Sequence, residues 1–460
     1  MNTMTSFKSS MNCTNNEYYF SNALLLIFNI CLFNIYCICS IIVFGVLCVV
    51  KVVNKGLEVR LYPKREMVNF FNQNIGNARF VWNHLLAEYK KTYSLFIQHG
   101  YTKLKCNMIT FNVMLMMLKK EYSFLGLSES SSLQQVYRDL IQAFNKFFKE
   151  NSGYPRFKNK SNPKQSFRIQ NNHNIHIQDN RIVLPKLGPV YFRTSHEYKK
   201  ILNNKDTKIN NVTIKRHNGK FYAVFNIETP IETYEKTFDR IGIDLGLRTL
   251  ATLSNGIEKA NLDLAYEEKM ISKYQKILSR KKYMSKRYQK ALRTYWKWQD
   301  KKTNKIKDTY HKISHDLVKA YDLICMENLN IKSMFKNKYW SPKLQRIALY
   351  SLVEKIRYKA QWHNKEFIQI SRRYPSSKNC HHCGYYNHEL EYEKEWICPQ
   401  CGKHHNRDIN ASKNILHEGI MILQEKIIKN LRDGGDSTVN LDALASTARE
   451  VRILELHSSR

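Results

Sequence analysis

The sequence predicts a multidomain α/β chain, and three observations carry that prediction. Short alternating apolar runs stand on both sides of a block with helical periodicity. A strand, tight turn, strand pattern, IGIDLGLRTLATLSNG (241–256), leads into long helical stretches, and two Cys-x2-Cys pairs lie near the C-terminal end. A chain of 460 residues has room for two to four domains and a sizeable core.

In chain order, LEVRLY (57–62) alternates as a strand does, and Pro63 ends it. From Arg65 to about Gln98, Phe70, Phe71, Ile75, Phe80, Val81, Leu85, Leu86 and Tyr89 recur at helical spacing. Further helices are expected at 107–121 and 130–150, the second opened by a serine run able to cap it. After Gly153 the texture turns to β: 165–170, 174–178, 181–185 and 189–194 are short runs, and 212–229 is a hairpin turning at Asn218-Gly219. These strands form a β-barrel or sheet domain that the helices interrupt. Beyond the strand pair that starts at Arg240, residues 265–320 read as one or two long helices. A buried strand at 322–330, a helix at 342–363 and a strand at 366–371 follow, and the tail after Gly434 is polar.

Lys plus Arg number 74 against 39 Asp plus Glu, a formal charge of +35. Such an excess repels itself unless a polyanion shares the surface, so nucleic acid is the favoured partner, bound in a salt-dependent way. The bland rival is a generally lysine-rich soluble chain. Against it, the charge clusters on 265–320, where Lys281, Lys282, Lys286, Arg287, Lys290 and Arg293 are interleaved with Tyr283, Tyr288, Tyr295, Trp296 and Trp298. Cations for phosphates and ring faces for bases make a strand-binding arm; a solvated helical hairpin whose aromatics pack on each other is the alternative.

Eleven cysteines, five of them in the first fifty residues, give an odd total with no disulfide framework, which suits a reducing, cytoplasmic compartment. From Tyr18 to Val50 no residue is charged. As a helix that stretch would exceed a bilayer core of roughly 30 Å, so a membrane anchor is the literal reading, with Lys51 and Lys55 at one end. The rival is an over-extended gene start, since everything after Lys55 reads as a soluble nucleic-acid protein.

Cys380-x2-Cys383 and Cys398-x2-Cys401 are separated by fourteen residues, and Gly384 and Gly402 follow the second cysteine of each pair. Four thiolates on two tight knuckles bind Zn²⁺ tetrahedrally, in a closed structural site. His381, His382, His404 and His405 are then left as polar loop residues, since Cys₄ has no vacancy.

Three acids stand out. Asp244 sits on an apolar strand where Gly242 and Gly246 open the backbone, Glu327 closes the apolar run LICM, and Asp408 begins the helical segment DINASKNIL. Singly, each has a plain explanation: a turn former, a strand-terminating polar residue, an N-cap. Together, strand Asp, strand-end Glu and helix Asp match an RNase H-like metal nuclease, in which carboxylates converge on two Mg²⁺ ions.

GIDLG (242–246), MENLN (326–330), PSSKNCHHCG (375–384) and NRDINASKNIL (406–416) closely resemble the RuvC motifs and zinc ribbon of TnpB proteins, transposon-encoded RNA-guided DNA nucleases related to type V CRISPR effectors. LEVRLYPKREM (57–67) and NARFVWNHLL (77–86) are similar to that family's opening. The resemblance covers about 57–430. It implies a wedge-type β domain (56–64 and 154–236) interrupted by a helical recognition domain (65–153). A RuvC-like nuclease domain (237–375 and 404–433) with an inserted zinc ribbon (376–403) would follow, with an apolar extension (1–55) and a polar tail (434–460) outside the family pattern. It also implies catalysis by Asp244, Glu327 and Asp408 with Mg²⁺, a guide RNA from the element's end, target DNA, and a protein monomeric with its RNA. Two other classes remain: a DNA-binding transposition accessory without cleavage, and a membrane-anchored nucleic-acid binder.

Overall fold

The structure, a computed structural model, describes residues 50–100, 106–150, 152–160, 165–246, 249–328, 348–391 and 393–432. The candidate anchor (all but Val50) and the polar tail lie outside the described residues, as do Leu329 and Asn330 of MENLN. No helix of the described residues is long and apolar enough to cross a membrane.

Seven strands form the first sheet: β1 (Val50–Leu61), β2 (Gln165–Gln170), β3 (His176–Gln178), β4 (Arg181–Leu184), β5 (Gly188–Arg193), β6 (Lys208–His217) and β7 (Lys220–Glu232), in the order β2-β6-β7-β1-β5-β4-β3. The period of two along β7 buries Phe221, Ala223, Phe225 and Ile227 on one face. Asn218 (φ 51°) and Gly219 (φ 74°) turn β6 into β7, as the Asn-Gly pair predicts. Among the described strands no pairing joins the edges β2 and β3, so the layer is an open, half-barrel sheet where a closed barrel was one expectation.

Helices α1 (Arg65–Gln98), α2 (Met108–Glu121) and α3 (Ser130–Lys149) share one continuous core with this sheet. Phe71 of α1 meets Phe167 at 6.1 Å and Phe221 at 5.2 Å. The serine run does not cap α3. Glu129 does, its carboxylate accepting from Ser132 N at 2.7 Å, because the serines already lie in the first turn. A short helix not anticipated from sequence, α4 (His196–Asn203), links β5 to β6. Strand β1 begins at Val50 rather than Leu57, because residues 50–56 pair with 232–226 of β7.

Five strands form the second sheet: β8 (Arg240–Asp244), β9 (Thr249–Leu253), β10 (Glu258–Ala260), β11 (Leu323–Glu327) and β12 (Glu366–Ile370), in the order β10-β9-β8-β11-β12. Strands β8 to β10 are antiparallel neighbours, while β8, β11 and β12 run parallel. Helices α5 (Ala265–Ser279) and α6 (Lys286–Ala320) separate β10 from β11, and α7 (Leu349–Trp362) precedes β12. A two-stranded ribbon, β13 (Glu395–Ile397) and β14 (His404–Asn406), runs straight into α8 (Arg407–Arg432).

Alternation along the central strands divides the sheet between two cores. Ile241, Ile243, Ile324 and Met326 pack with Tyr310 and Leu317 of α6 and Leu352 and Ile356 of α7. Leu323, Cys325, Ile368 and Ile370 pack with Ile415, Leu423 and Ile427 of α8. Two glycines set how closely α8 lies on the strands. A methyl on Gly242 would stand 2.0 Å from Ser412 O, and one on Gly419 would stand 2.2 Å from Cys325 Sγ. Gly242 thus serves close approach of a helix rather than an opening of the strand.

Candidate functional site

Strands β8 and β11 are parallel neighbours with Ile243 beside Met326, so the next pair along is Asp244 and Glu327. Each acid lies two residues beyond a position that faces α8, Gly242 and Cys325 respectively, and so takes the α8 face. Asp408 comes to the same end of the sheet in the first turn of α8. It is not the N-cap. Asn406 is, its side-chain oxygen accepting from Asp408 N at 3.1 Å and Ile409 N at 3.2 Å, which leaves the Asp408 carboxylate free of that duty.

The electrostatics register the convergence. Burial pushes the Asp244 carboxyl up to about 7, and the negative charges of Asp408 and then Glu327 push in the same direction. Arg407 and the Leu245 N–H pull against them. Burial also raises Glu327. A partly buried carboxyl beside two like charges is a place where a divalent cation relieves repulsion, so the donor set fits Mg²⁺. The acids are not closed up as the thiols are: among the described residues only the cysteine set gathers its ligand atoms within 4.8 Å.

That set is Cys380, Cys383, Cys398 and Cys401. Cys380 Sγ lies 3.7 Å from Cys401 Sγ, and Cys383 Sγ lies 3.6 Å from Cys398 Sγ. A tetrahedral Zn²⁺ with bonds of about 2.3 Å requires sulfurs about 3.8 Å apart, so the donors fit zinc. The two knuckles are copies of one another. Gly384 N donates to Cys380 O and Gly402 N to Cys398 O, both at 2.9 Å, and both glycines have positive φ (78° and 66°).

His405 departs from the expectation of a polar loop residue. It lies on β14, is 3 % exposed, packs on Trp396 with ring centroids 4.7 Å apart, and brings Nε2 to 3.1 Å from Cys380 Sγ. His381 is also engaged, its Nδ1 3.0 Å from Asn410 Oδ1 on α8. Alternation on β14 buries His405 between the exposed His404 and the half-buried Asn406, a signal too short to read in three residues.

Comparison with known proteins covers most of this architecture. A "Probable transposase" model of the OrfB type matches residues 223–338, a "Cas12f1-like, TNB domain" model matches 350–415, and a "Helix-turn-helix domain" model of the same OrfB type matches 53–96. A "Putative RNA-guided DNA endonuclease" of Streptomyces pristinaespiralis is 28% identical over 80% of this chain and 90% of its own length. InsQ of Escherichia coli (strain K12), carrying the same description, is 27% identical over 80% of this chain and 93% of its own length. "TnpB-like protein L79" of Acanthamoeba polyphaga mimivirus is 30% identical over 42% of this chain and 39% of its own. The chain is thus similar over most of its length to proteins described as RNA-guided DNA endonucleases and, over part of it, to TnpB-like proteins. Its fold is shared with Cas12f1, solved as a Cas12f1–sgRNA–target DNA complex: TM-score 0.54 and 15% identity, over 79% of this chain and 98% of that one. The helix-turn-helix match falls on β1 and most of α1.

The basic arm of the chain is the α5–α6 hairpin, and its cations divide by depth. Near its base, Lys301 and Lys305 pair with the buried Glu267, and Lys302 pairs with Glu268. Towards the tip Lys281, Lys282, Lys286, Arg287, Lys290 and Arg293 are all exposed. The aromatics divide likewise. Trp298 packs edge-on against Tyr266 at 5.4 Å, and Trp296 sits against the β6–β7 turn at Gly219, beside which Asp300 accepts from Asn218 and Lys220. Those two rings are half-buried in packing contacts, the arrangement that the packed-aromatics alternative describes, while Tyr283 at the tip is exposed.

Proposed function

We propose that this chain is an RNA-guided, Mg²⁺-dependent DNA endonuclease of a transposable element. The observation that carries the reading is the pairing of Asp244 with Glu327 at the ends of adjacent parallel strands, beneath the first turn of the helix that bears Asp408. The strand order, three antiparallel strands followed by two parallel ones, supports an RNase H-like, RuvC-type nuclease domain at 237–375 and 404–433, with the zinc ribbon 376–403 inserted. On this reading 56–64 with 154–236 is the wedge domain and 65–153 the recognition domain, although their apolar residues form one core.

Asp244, Glu327 and Asp408 would hold Mg²⁺, which when bound supplies an activated water and stabilises the departing 3′ oxygen of a phosphodiester. The chain's own work is to place those carboxylates, keep Asp244 half-buried, and leave Arg407 beside it as the counter-charge. Guide RNA and target DNA would meet the exposed cations of the hairpin tip, with base pairing carrying the sequence specificity. The relatives named RNA-guided endonucleases and the Cas12f1 fold support this reading.

Asp244→Ala tests it. Mg²⁺-dependent cutting of a guide-matched duplex falls by at least about a thousandfold while RNA and DNA binding persist. Unchanged cutting overturns the catalytic assignment. A wild-type protein that binds both nucleic acids and cuts neither is instead a DNA-binding transposition accessory.

A further inference from the structure

Between the thiolate site and the acid helix runs a polar lock that neither metal site requires. Asn410 and Asn414 stand one turn apart on α8 and are 1 % and 5 % exposed. Asn410 Nδ2 donates to Asn379 O at 2.7 Å, and its Oδ1 accepts from His381 N at 3.0 Å and lies 3.0 Å from His381 Nδ1. Asn414 Nδ2 donates to Ser376 O and to Asn379 O, both at 2.7 Å. These bonds seize the segment that leads into the first knuckle, on both sides of Cys380. The second knuckle is joined to α8 directly through β14, where Arg407 N donates to Lys394 O at 2.8 Å and Arg407 Nη1 to Glu391 O at 2.8 Å.

A buried amide that uses both its donor and its acceptor on backbone groups is costly to disturb, since every lost partner strands a buried polar atom. Such a side chain also specifies geometry, because a primary amide satisfies a fixed arrangement of carbonyls and N–H groups. Asn410 lies in the first turn of α8, beside Asp408, so its bonds tie that turn directly to the ribbon's first knuckle. We infer that Asn410 and Asn414 are positioning residues: they lock the first zinc knuckle onto α8, so that filling the thiolate site sets the helix that carries Asp408.

The lock stands on the hydrogen bonds alone; its effect on cutting rests on the nuclease reading above. The test is hydrogen exchange on the full chain, with one equivalent of zinc and after chelation. In the wild type, zinc slows exchange at 406–416 at least about tenfold, as several coupled hydrogen bonds imply. In Asn410→Ala/Asn414→Ala, zinc still protects 395–403 but changes 406–416 by less than about twofold. Asn414→Asp keeps the side-chain volume and replaces the amide donor with an acceptor facing two carbonyls, so it shifts exchange the same way without opening a cavity. Equal zinc protection of 406–416 in wild type and Asn414→Asp overturns the lock, as does its absence in the wild type. Cutting separates the two proposals. Intact zinc coupling with no cutting by the wild type sinks the nuclease reading and leaves the lock, whereas an uncoupled variant that cuts at the wild-type rate sinks the positioning role.

Discussion

Two clusters of ligand-type side chains meet at the start of α8, and they are built in opposite ways. The thiolate cluster is local: two Cys-x2-Cys knuckles close on each other within one short segment, with sulfurs 3.6–3.7 Å apart. The carboxylate cluster is assembled from two strands and a helix, and its members press on each other electrically without closing up. A local site needs its own metal to hold its shape, because four thiolates in a small ribbon bury little apolar surface: its core is Cys380, Leu390, Trp396 and Cys398. A non-local site borrows its shape from two large cores and spends part of their stability on like charges.

The sharpest way to break that contrast is at the thiolates. Cys398→Ser lowers zinc content from one per chain to near zero, and the ribbon unfolds while the two sheets persist. Metal analysis with limited proteolysis reads it, and cleavage confined to 376–406 is the expected pattern. A ribbon that stays protease-resistant without zinc would show that it has a self-sufficient core.

Next in size is Gly242→Ala. A methyl there meets Ser412 O at 2.0 Å, so α8 must move or the strand must bend. The loss is about 1–3 kcal/mol of stability by chemical unfolding, with zinc content unchanged.

Comparable in size, and opposite in sign, is Asp244→Asn in metal-free protein. The folded Asp244 carboxyl sits at about 7 against about 3.9 unfolded, so the folded chain holds that proton more tightly. Its contribution to stability is full below pH 4 and is lost as pH rises through 7. The Asn variant escapes that loss, and in EDTA at pH 8 it is more stable by about 1–4 kcal/mol, a gain that vanishes near pH 4. A destabilised Asn variant at pH 8 would mean that the three acids do not strain the fold.

The smallest effect belongs to the hairpin tip. Lys286→Ala with Arg287→Ala weakens nucleic-acid binding evenly across sequences and lowers the salt slope by about one per lost phosphate contact. Binding assays at several salt concentrations check this, and changing Lys301 and Lys302 in the same way has less effect, because acids on α5 already engage them.

Some features could be read in advance because they depend on neighbours in sequence. The knuckles are spacing and glycine, the β6–β7 turn is Asn218-Gly219, and the long helices are periodicity. Each is decided within a few residues by backbone sterics or by side-chain direction. The six tip cations were legible as a cluster for the same reason.

Other features were open until the chain folded back on itself. Asp408 looked like an N-cap until Asn406 took that place, His405 looked like a loop residue until β14 turned it inwards, and Trp296 and Trp298 looked available until they were packed. By itself, then, the sequence determined which residues can chelate, turn or carry charge, since those are properties of side chains at short spacing. Only the tertiary structure decided that Asp244, Glu327 and Asp408 share one end of one sheet. Register between β8 and β11 and the glycine-limited approach of α8 are long-range packing outcomes, and no local pattern contains them.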